Sequence, residues 1–218
     1  MAQKIGVSRP SYVNIESGKK ELTVSQARTL KSILKIDIDD ILGTPDEASI
    51  FSNMLATTEK YKQIILNSLK YGADGDGKIT KTKLAKLVYL ADFLWYYEHS
   101  TPMSGVTYRK LPRGPVADIY FRVLDELEED RIVVRDVTDK GAIMFSLVES
   151  APPTSRLSEE EIRLITNICE VWRGKPTLDI VNFTHEQLPW KDCRDGETIP
   201  YDLILQEHPD RVYGAILH

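Results

Sequence analysis

The chain has 218 residues, 42% hydrophobic and 28% charged, with a formal net charge of -5, enough to bury the core of one large domain or two small ones. No apolar run reaches the ~18 residues of a membrane span, because Lys83, Lys86 and Asp92 interrupt the best candidate, and the opening Met-Ala-Gln-Lys-Ile-Gly lacks a signal peptide's apolar core. A cytoplasmic location is therefore expected, with no membrane partner, and the two cysteines, Cys169 and Cys193, fit a reducing compartment and argue against structural zinc.

Charge is unevenly spread along the chain. Residues 1–43 hold seven Lys/Arg against five Asp/Glu, and the remainder holds 21 against 28. A basic head on an acidic body suggests two domains with different partners. Residues 2–5 read as the end of a helix closed by Gly6. Ser8 then caps a second helix, with Pro10 in its first turn and Gly18 as its stop, and Val13 and Ile15 facing inward. Residues 25–34 give another amphipathic helix, and 36–42 a final apolar turn.

Two helices joined by Gly-Val-Ser have helix-turn-helix geometry, in which the second helix enters the major groove. The series Ile5-Gly6-Val7-Ser8-Arg9, Tyr12, Asn14-Ile15-Glu16-Ser17-Gly18-Lys19, continuing through Leu30 and Asp39-Asp40-Ile41-Leu42, resembles the Cro/repressor-type (Xre-like) DNA-binding domain. By position, Arg9, Ser11, Tyr12 and Asn14 would reach base edges or phosphates, with Lys19 and Lys20 as backbone contacts. A solvated helix face is the plainer reading. In that family a complete helix and the start of a second come first, so the expectation is an N-terminally truncated helix-turn-helix that leaves Ile5, Val13 and Ile33 short of cover. A start placed too late and a remnant that binds DNA poorly both stay open.

Residues 44–57 read as a linker that begins with the hinge Gly43-Thr44-Pro45-Asp46 and adds a turn of helix at 48–55. Residues 58–71 form a clearer helix, with Tyr61, Ile64, Ile65, Ser68 and Leu69 along one face, ending at Gly72. The stretch Asp74-Gly75-Asp76-Gly77-Lys78-Ile79-Thr80 invites a calcium-loop reading. Placing Gly77 at the loop glycine, however, puts Gly72 and Lys83 where carboxylate ligands are needed. A polar loop whose Thr80 caps the next helix is expected instead.

That next helix is the centre of the chain. Leu84, Leu87, Val88, Ala91, Leu94 and Trp95 recur on one face and Leu90, Phe93 and Tyr97 on the other, the pattern of a helix packed on several sides. Asp92 sits in its middle. Residues 101–114 follow as a shaped, Pro- and Gly-punctuated connection holding Arg109, Lys110 and Arg113.

Pro115 is placed in the first turn of a helix reaching about Asp130, with Val116, Ile119, Tyr120, Val123, Leu124 and Leu127 as its stripe. Its end, 125–130, is acid-rich, which opposes the helix dipole by roughly 0.3–1 kcal/mol per exposed carboxylate. Solvation and a basic partner are the two readings. Residues 131–137 and 142–148 flank Thr138-Asp139-Lys140-Gly141 as a β-hairpin; a winged helix is disfavoured by the acid before it. Ser158 caps a helix to about Arg173, on which Cys169 shares a buried face with Ile162, Ile165 and Trp172. A short helix at 178–183 and an apolar turn at 201–206 complete the pattern.

Chemistry-bearing residues are few. His99, His185, His208 and His218 show no metal-ligand spacing, and no phosphate-binding glycine loop or nucleophile elbow occurs. His185 with Glu186 is a neighbouring acid–base pair, with a structurally hydrogen-bonded histidine as its plainer reading. No cofactor, no metal and no enzymatic activity are expected.

Taken in order, Lys86-Leu87-Val88-Tyr89-Leu90-Ala91-Asp92, Pro102 to Gly105 with Tyr108, Gly114-Pro115-Val116, and Thr184-His185 with Pro189-Trp190-Lys191 resemble the Panacea (SocA-like) antitoxin domain. The resemblance spans roughly residues 61–205. It implies a mostly helical domain with a small β-hairpin that neutralises a toxin encoded beside it by direct contact. The scaffold serves many toxin classes, and one member delivers its toxin to a protease. The fold class expected is mainly α, a truncated helix-turn-helix domain (1–43) followed, after the linker, by a helical domain carrying a small β-hairpin (58–218). The function implied is a type II antitoxin that also represses its own operon, with the toxin and operator DNA as partners and a homodimer left open. The candidate toxin contacts are Tyr89, Tyr96, Tyr97, Tyr108, Arg109, Arg113 and Trp190, aromatic anchors and charges of the kind that dominate interfaces. A transcriptional regulator with a ligand-sensing or dimerisation domain is the alternative.

Overall fold

Three helices start where the sequence places their caps, at Ser8, Thr80 and Ser158. The computed structural model describes residues 2, 7–17, 33, 47–148 and 156–214, and the chain divides into two compact units, Met1–Asn53 and Met54–His218. In the first unit, the Ser8 hydroxyl accepts the Ser11 N–H at 3.3 Å and opens α1 (Arg9–Glu16), with Pro10 in its first turn. Ser11, Tyr12 and Ile15 are half-buried, while Val13 is 59% exposed. Val13, read as inward-facing but short of cover, is thus exposed; it lies about 200° around the helix from Ser11 and Ile15. The helices expected at 25–34 and 36–42, and Lys19 and Lys20, lie outside the described residues.

A single helix, α2 (Glu47–Gly72), joins the helical stretches expected at 48–55 and 58–71. Tyr61, Ile64, Ile65 and Leu69 on it are buried. The polar loop that follows holds no calcium geometry. Asp74 instead accepts the Gly174 N–H at 2.8 Å and the Lys83 ammonium at 3.3 Å. The lysine that spoils the calcium pattern is the one that neutralises the loop.

Strand β1 (Ile79–Thr80) leads into α3 (Lys81–His99), where Thr80 Oγ1 accepts the Lys83 N–H at 3.1 Å as the N-cap. Every residue of α3 from Lys83 to Leu94 is buried. This helix packs against elements from both ends of the unit, as its apolar circumference requires.

Residues 101–117 depart from expectation. The connection after α3 ends in a hairpin, β2 (Tyr108–Leu111) and β3 (Gly114–Ala117), closed by the pair Leu111↔Gly114 around Pro112-Arg113. Pro115 is therefore in a strand, and the following helix, α4, begins only at Tyr120 (Tyr120–Glu129). A proline is tolerated there because β3 is an edge strand of the sheet β3-β2-β6. Strand β6 (Thr198–Ile199), far along the chain, supplies the third member, pairing Ile199 with Tyr108.

The second sheet is the expected hairpin, β4 (Val133–Val137) and β5 (Ile143–Leu147), extended by β1. Packed before it, the acidic end of α4 finds bases inside the same unit. Glu126 meets Lys62 at 3.0 Å and Arg122 at 2.9 Å, Glu128 meets Arg135 at 2.8 Å, and Asp125 also pairs with Arg135. Helix α5 (Glu159–Trp172) opens with a full capping box, Ser158 and Glu161 bonding reciprocally, and buries Cys169, Ile165 and Trp172. Helices α6 (Thr177–Glu186) and α7 (Leu188–Lys191), a 3-10 helix (Tyr201–Gln206) and α8 (Pro209–Tyr213) close the unit. The described residues are thus mostly helical with small antiparallel sheets, and no helix among them is long and apolar enough to cross a membrane.

Gly114 has φ +99, and a Cβ there would lie 2.6 Å from Lys86 Cε and 2.8 Å from its Nζ. Both backbone conformation and space require glycine. Gly114→Ala is expected to cost about 2 kcal/mol, within the range for a strained backbone residue, read from the midpoint shift of a urea unfolding curve.

Candidate functional site

The buried carboxylate in the middle of α3 organises the surface beside it. Asp92 is wholly buried and accepts the Ser104 N–H at 2.9 Å and the Tyr108 hydroxyl at 3.1 Å. The Ser104 hydroxyl also donates to it, and the Tyr201 hydroxyl lies 3.1 Å from the carboxylate and 3.0 Å from the Val106 carbonyl. Burial raises the Asp92 pKa, and the hydrogen bonds from Ser104, Tyr201 and Tyr108 oppose that shift. Around it, Tyr89, Phe93, Tyr108 and Tyr201 form an aromatic cluster, with Phe93 stacked on Tyr201 at 4.6 Å and edge-on to Tyr108 at 5.3 Å. Together these contacts fix the β2–β3 hairpin against α3.

A second polar group lies under the hairpin tip. Lys86 is buried and donates to the Pro115 carbonyl at 2.7 Å, and burial lowers its pKa from 10.5 to about 7. His185 Nε2 is close by: the Cβ that Gly114 lacks would sit 3.1 Å from it. That nitrogen is buried and has no hydrogen-bond partner among the described residues. Desolvation, then the charges of Lys86 and Lys110, lower the His185 pKa, so the imidazole is neutral beside the lysine at ordinary pH. The ring stacks on Trp190 at 3.9 Å, and Lys110 Nζ lies 4.0 Å from the Trp190 ring centre. Trp190 thus packs against both the imidazole and the ammonium.

Beside Lys86, a cavity of about 400 Å³ opens between the start of α3, the hairpin tip and the start of α4. Its walls are mainly apolar, from Ala85, Leu111, Val116, Tyr120, Phe121 and Ile143, and Lys81, Lys86 and Arg113 bring charge to it.

The residues proposed from sequence fall into three environments. Tyr89 and Tyr108 are core residues, 0% and 1% exposed, and offer a partner no surface; the apolar ring that marks an interface anchor marks a core residue equally well. Trp190 is partly buried and already packed against His185 and Lys110. Tyr96 and Tyr97 are half-buried, the first donating to Asp202 and the second edge-on to Tyr213 at 5.8 Å. Arg109 is exposed but paired with Asp118 at 2.7 Å, whereas Arg113 is exposed at the hairpin tip. His185 and Glu186 engage different partners, since Glu186 pairs with Lys191 at 2.6 Å. In the first unit Arg9 is exposed, Ser11 is half-buried, and the half-buried Tyr12 is hydrogen-bonded to Glu16, which raises its pKa. Asn14 lies on α1.

Phe121, 46% exposed at the cavity, falls outside the apolar stripe read from the sequence for α4. Lys86 stands in the sequence only as part of the Lys86-to-Asp92 motif, with no role of its own. Its signal was a lysine on a helix apolar on every side, which has to find a partner in the interior.

Residues 84–191 match the family model for the antitoxin SocA-like, Panacea domain. They include most of α3, the hairpin, α4 and the Lys86–His185–Trp190 group. No curated protein and no solved structure matches the chain.

Between about pH 7 and the ordinary lysine value of 10.5, the unfolded chain carries a proton on Lys86 that the folded protein lacks. Stability from this group therefore rises with pH across that window. Relative to Lys86→Met, the native protein is expected to gain stability as pH rises through it, measured by urea unfolding at its two ends; a pH-independent difference would contradict the assignment.

Proposed function

We propose that this protein is the antitoxin of a type II toxin–antitoxin system and silences its toxin by direct contact. The family-model match over residues 84–191 carries this reading, and an antitoxin needs no catalytic group of its own. The contact face proposed is the β2–β3 tip and the start of α4. Arg113 and Phe121 there are exposed neighbours of one cavity, an arginine and an aromatic of the types that dominate binding energy at interfaces. Tyr96 and Tyr97 lie at the far end of α3 and belong to a secondary contact. Repression of the operon belongs to the first unit, with Arg9, Ser11, Tyr12 and Asn14 of α1, and Lys19 and Lys20 after it, as the DNA contacts.

Co-expression with the protein encoded next to it is expected to restore growth, and the two are expected to co-purify. The double change Arg113→Glu, Phe121→Ser should weaken the complex by at least about tenfold, a loss of roughly 1.4 kcal/mol. Val137→Ser, which alters an exposed apolar residue on β4, should leave it intact. Failure of the unaltered protein to rescue or co-purify would end the antitoxin reading. A gel shift on the DNA upstream of its own gene, reduced by Arg9→Ala, tests the repressor part; no shift with the unaltered protein would remove it.

A further inference from the structure

Several cations of the second unit, Lys62, Lys78, Lys83, Arg109, Arg122 and Arg135 among them, pair with a carboxylate. The three cations that line the 400 Å³ cavity do not, and they converge on one apolar hollow. Lys81 lies over the Phe121 ring at 4.3 Å, Lys86 donates to the Pro115 carbonyl, and Arg113 has no hydrogen-bond or ion-pair partner among the described residues. None of the three has an ion-pair partner there, and no acidic side chain lines the cavity. What marks this place is that three basic side chains meet at a mainly apolar hollow, one of them, Lys86, buried with a single neutral oxygen as its partner.

An ammonium has three donors, and Lys86 directs one of them to Pro115. No carboxylate is at hand for its remaining donors, because the neighbouring titratable groups are the cations Lys81 on its own helix and Arg113 on the hairpin and the neutral imidazole of His185 on α6. Walls such as Leu111, Val116 and Phe121 demand an occupant with an apolar body, and the cavity volume falls in the range of about 300–1,000 Å³ typical of small-molecule sites. We propose that this cavity binds a small amphipathic monocarboxylate, its apolar body between the hairpin tip and α4 and its carboxylate beside Lys86 and Arg113. The anion supplies the countercharge that the protein withholds. Because burial leaves Lys86 with a pKa of about 7, binding draws a proton onto it from solvent above neutral pH. This inference goes beyond the antitoxin reading and does not depend on it.

The test titrates the full chain with octanoate and indole-3-acetate, and with octanamide and indole-3-acetamide as uncharged matches, by calorimetry at pH 8 in buffers of different ionisation enthalpy. Each carboxylate should bind about tenfold or more tightly than its amide, the equivalent of one charge-assisted hydrogen bond, with net proton uptake. Lys86→Met, which keeps an apolar stem in place, should abolish both the preference and the proton uptake. Arg113→Gln should weaken the preference; the exposed position of this residue keeps folding out of the comparison. Equal binding of acid and amide, a preference that survives both substitutions, or no binding of either probe at about millimolar concentration, a weak-binding limit, would overturn the proposal.

Discussion

The second unit depends on a carboxylate placed where no water can reach it. Asp92 enters the core on α3 because that helix is apolar on every side, and an unpaired buried charge would be prohibitively costly. The fold answers by bringing donors from three places in the chain: Ser104 after the helix, Tyr108 at the start of β2, and Tyr201 at the start of the 3-10 helix. Each donor is also a packing residue. The two tyrosines belong to the aromatic cluster around Phe93, so satisfying the charge and filling the core are one event. This fixes where the β2–β3 hairpin starts and which way it runs.

Once the hairpin is fixed, the crowded arrangement beneath its tip follows. Gly114 is forced against Lys86, Pro115 lends its carbonyl to the lysine, and His185 on α6 meets the same spot with its Nε2 unmatched. The lysine has only a neutral oxygen as partner, which is why burial lowers its pKa so far. The acidic end of α4 could have served the cavity cations, yet it is committed to Lys62, Arg122 and Arg135. Charge matching at one end of α4 and its absence at the other are two sides of one distribution. The result is an exposed arginine at the hairpin tip beside an exposed aromatic, Phe121, at the start of α4.

This arrangement suits a protein proposed to act by contact. A partner meeting Arg113 and Phe121 meets groups whose backbone is held by β6, α3 and α6, so little order has to be created on binding. The same elements enclose the cavity behind them. A surface for a protein partner and a hollow for a small anion thus share the hairpin tip.

Much of the second unit was legible because its determinants are local. Thr80 and Ser158 cap α3 and α5 as expected, the 131–148 hairpin forms around its turn residues, and Cys169 is buried on the predicted face. The central, many-sided burial of α3 follows from composition within one turn-by-turn pattern. The β2–β3 hairpin was hidden: Pro112, Gly114 and Pro115 read as breakers before a helix, and a four-residue strand has too little periodicity to announce itself. Its third strand lies 91 residues away in the pair Tyr108↔Ile199, and one donor to Asp92 lies 109 residues away. The sequence could name the aromatics at 89, 96, 97, 108 and 190 but could not sort core from surface, since a ring buried by its neighbours and one left for a partner have the same chemistry. What the chain determined alone was where the side-chain-capped helices begin and which helix is central. What only the tertiary structure decided was the site, because a cation's partners, or their absence, depend on which distant segments arrive beside it.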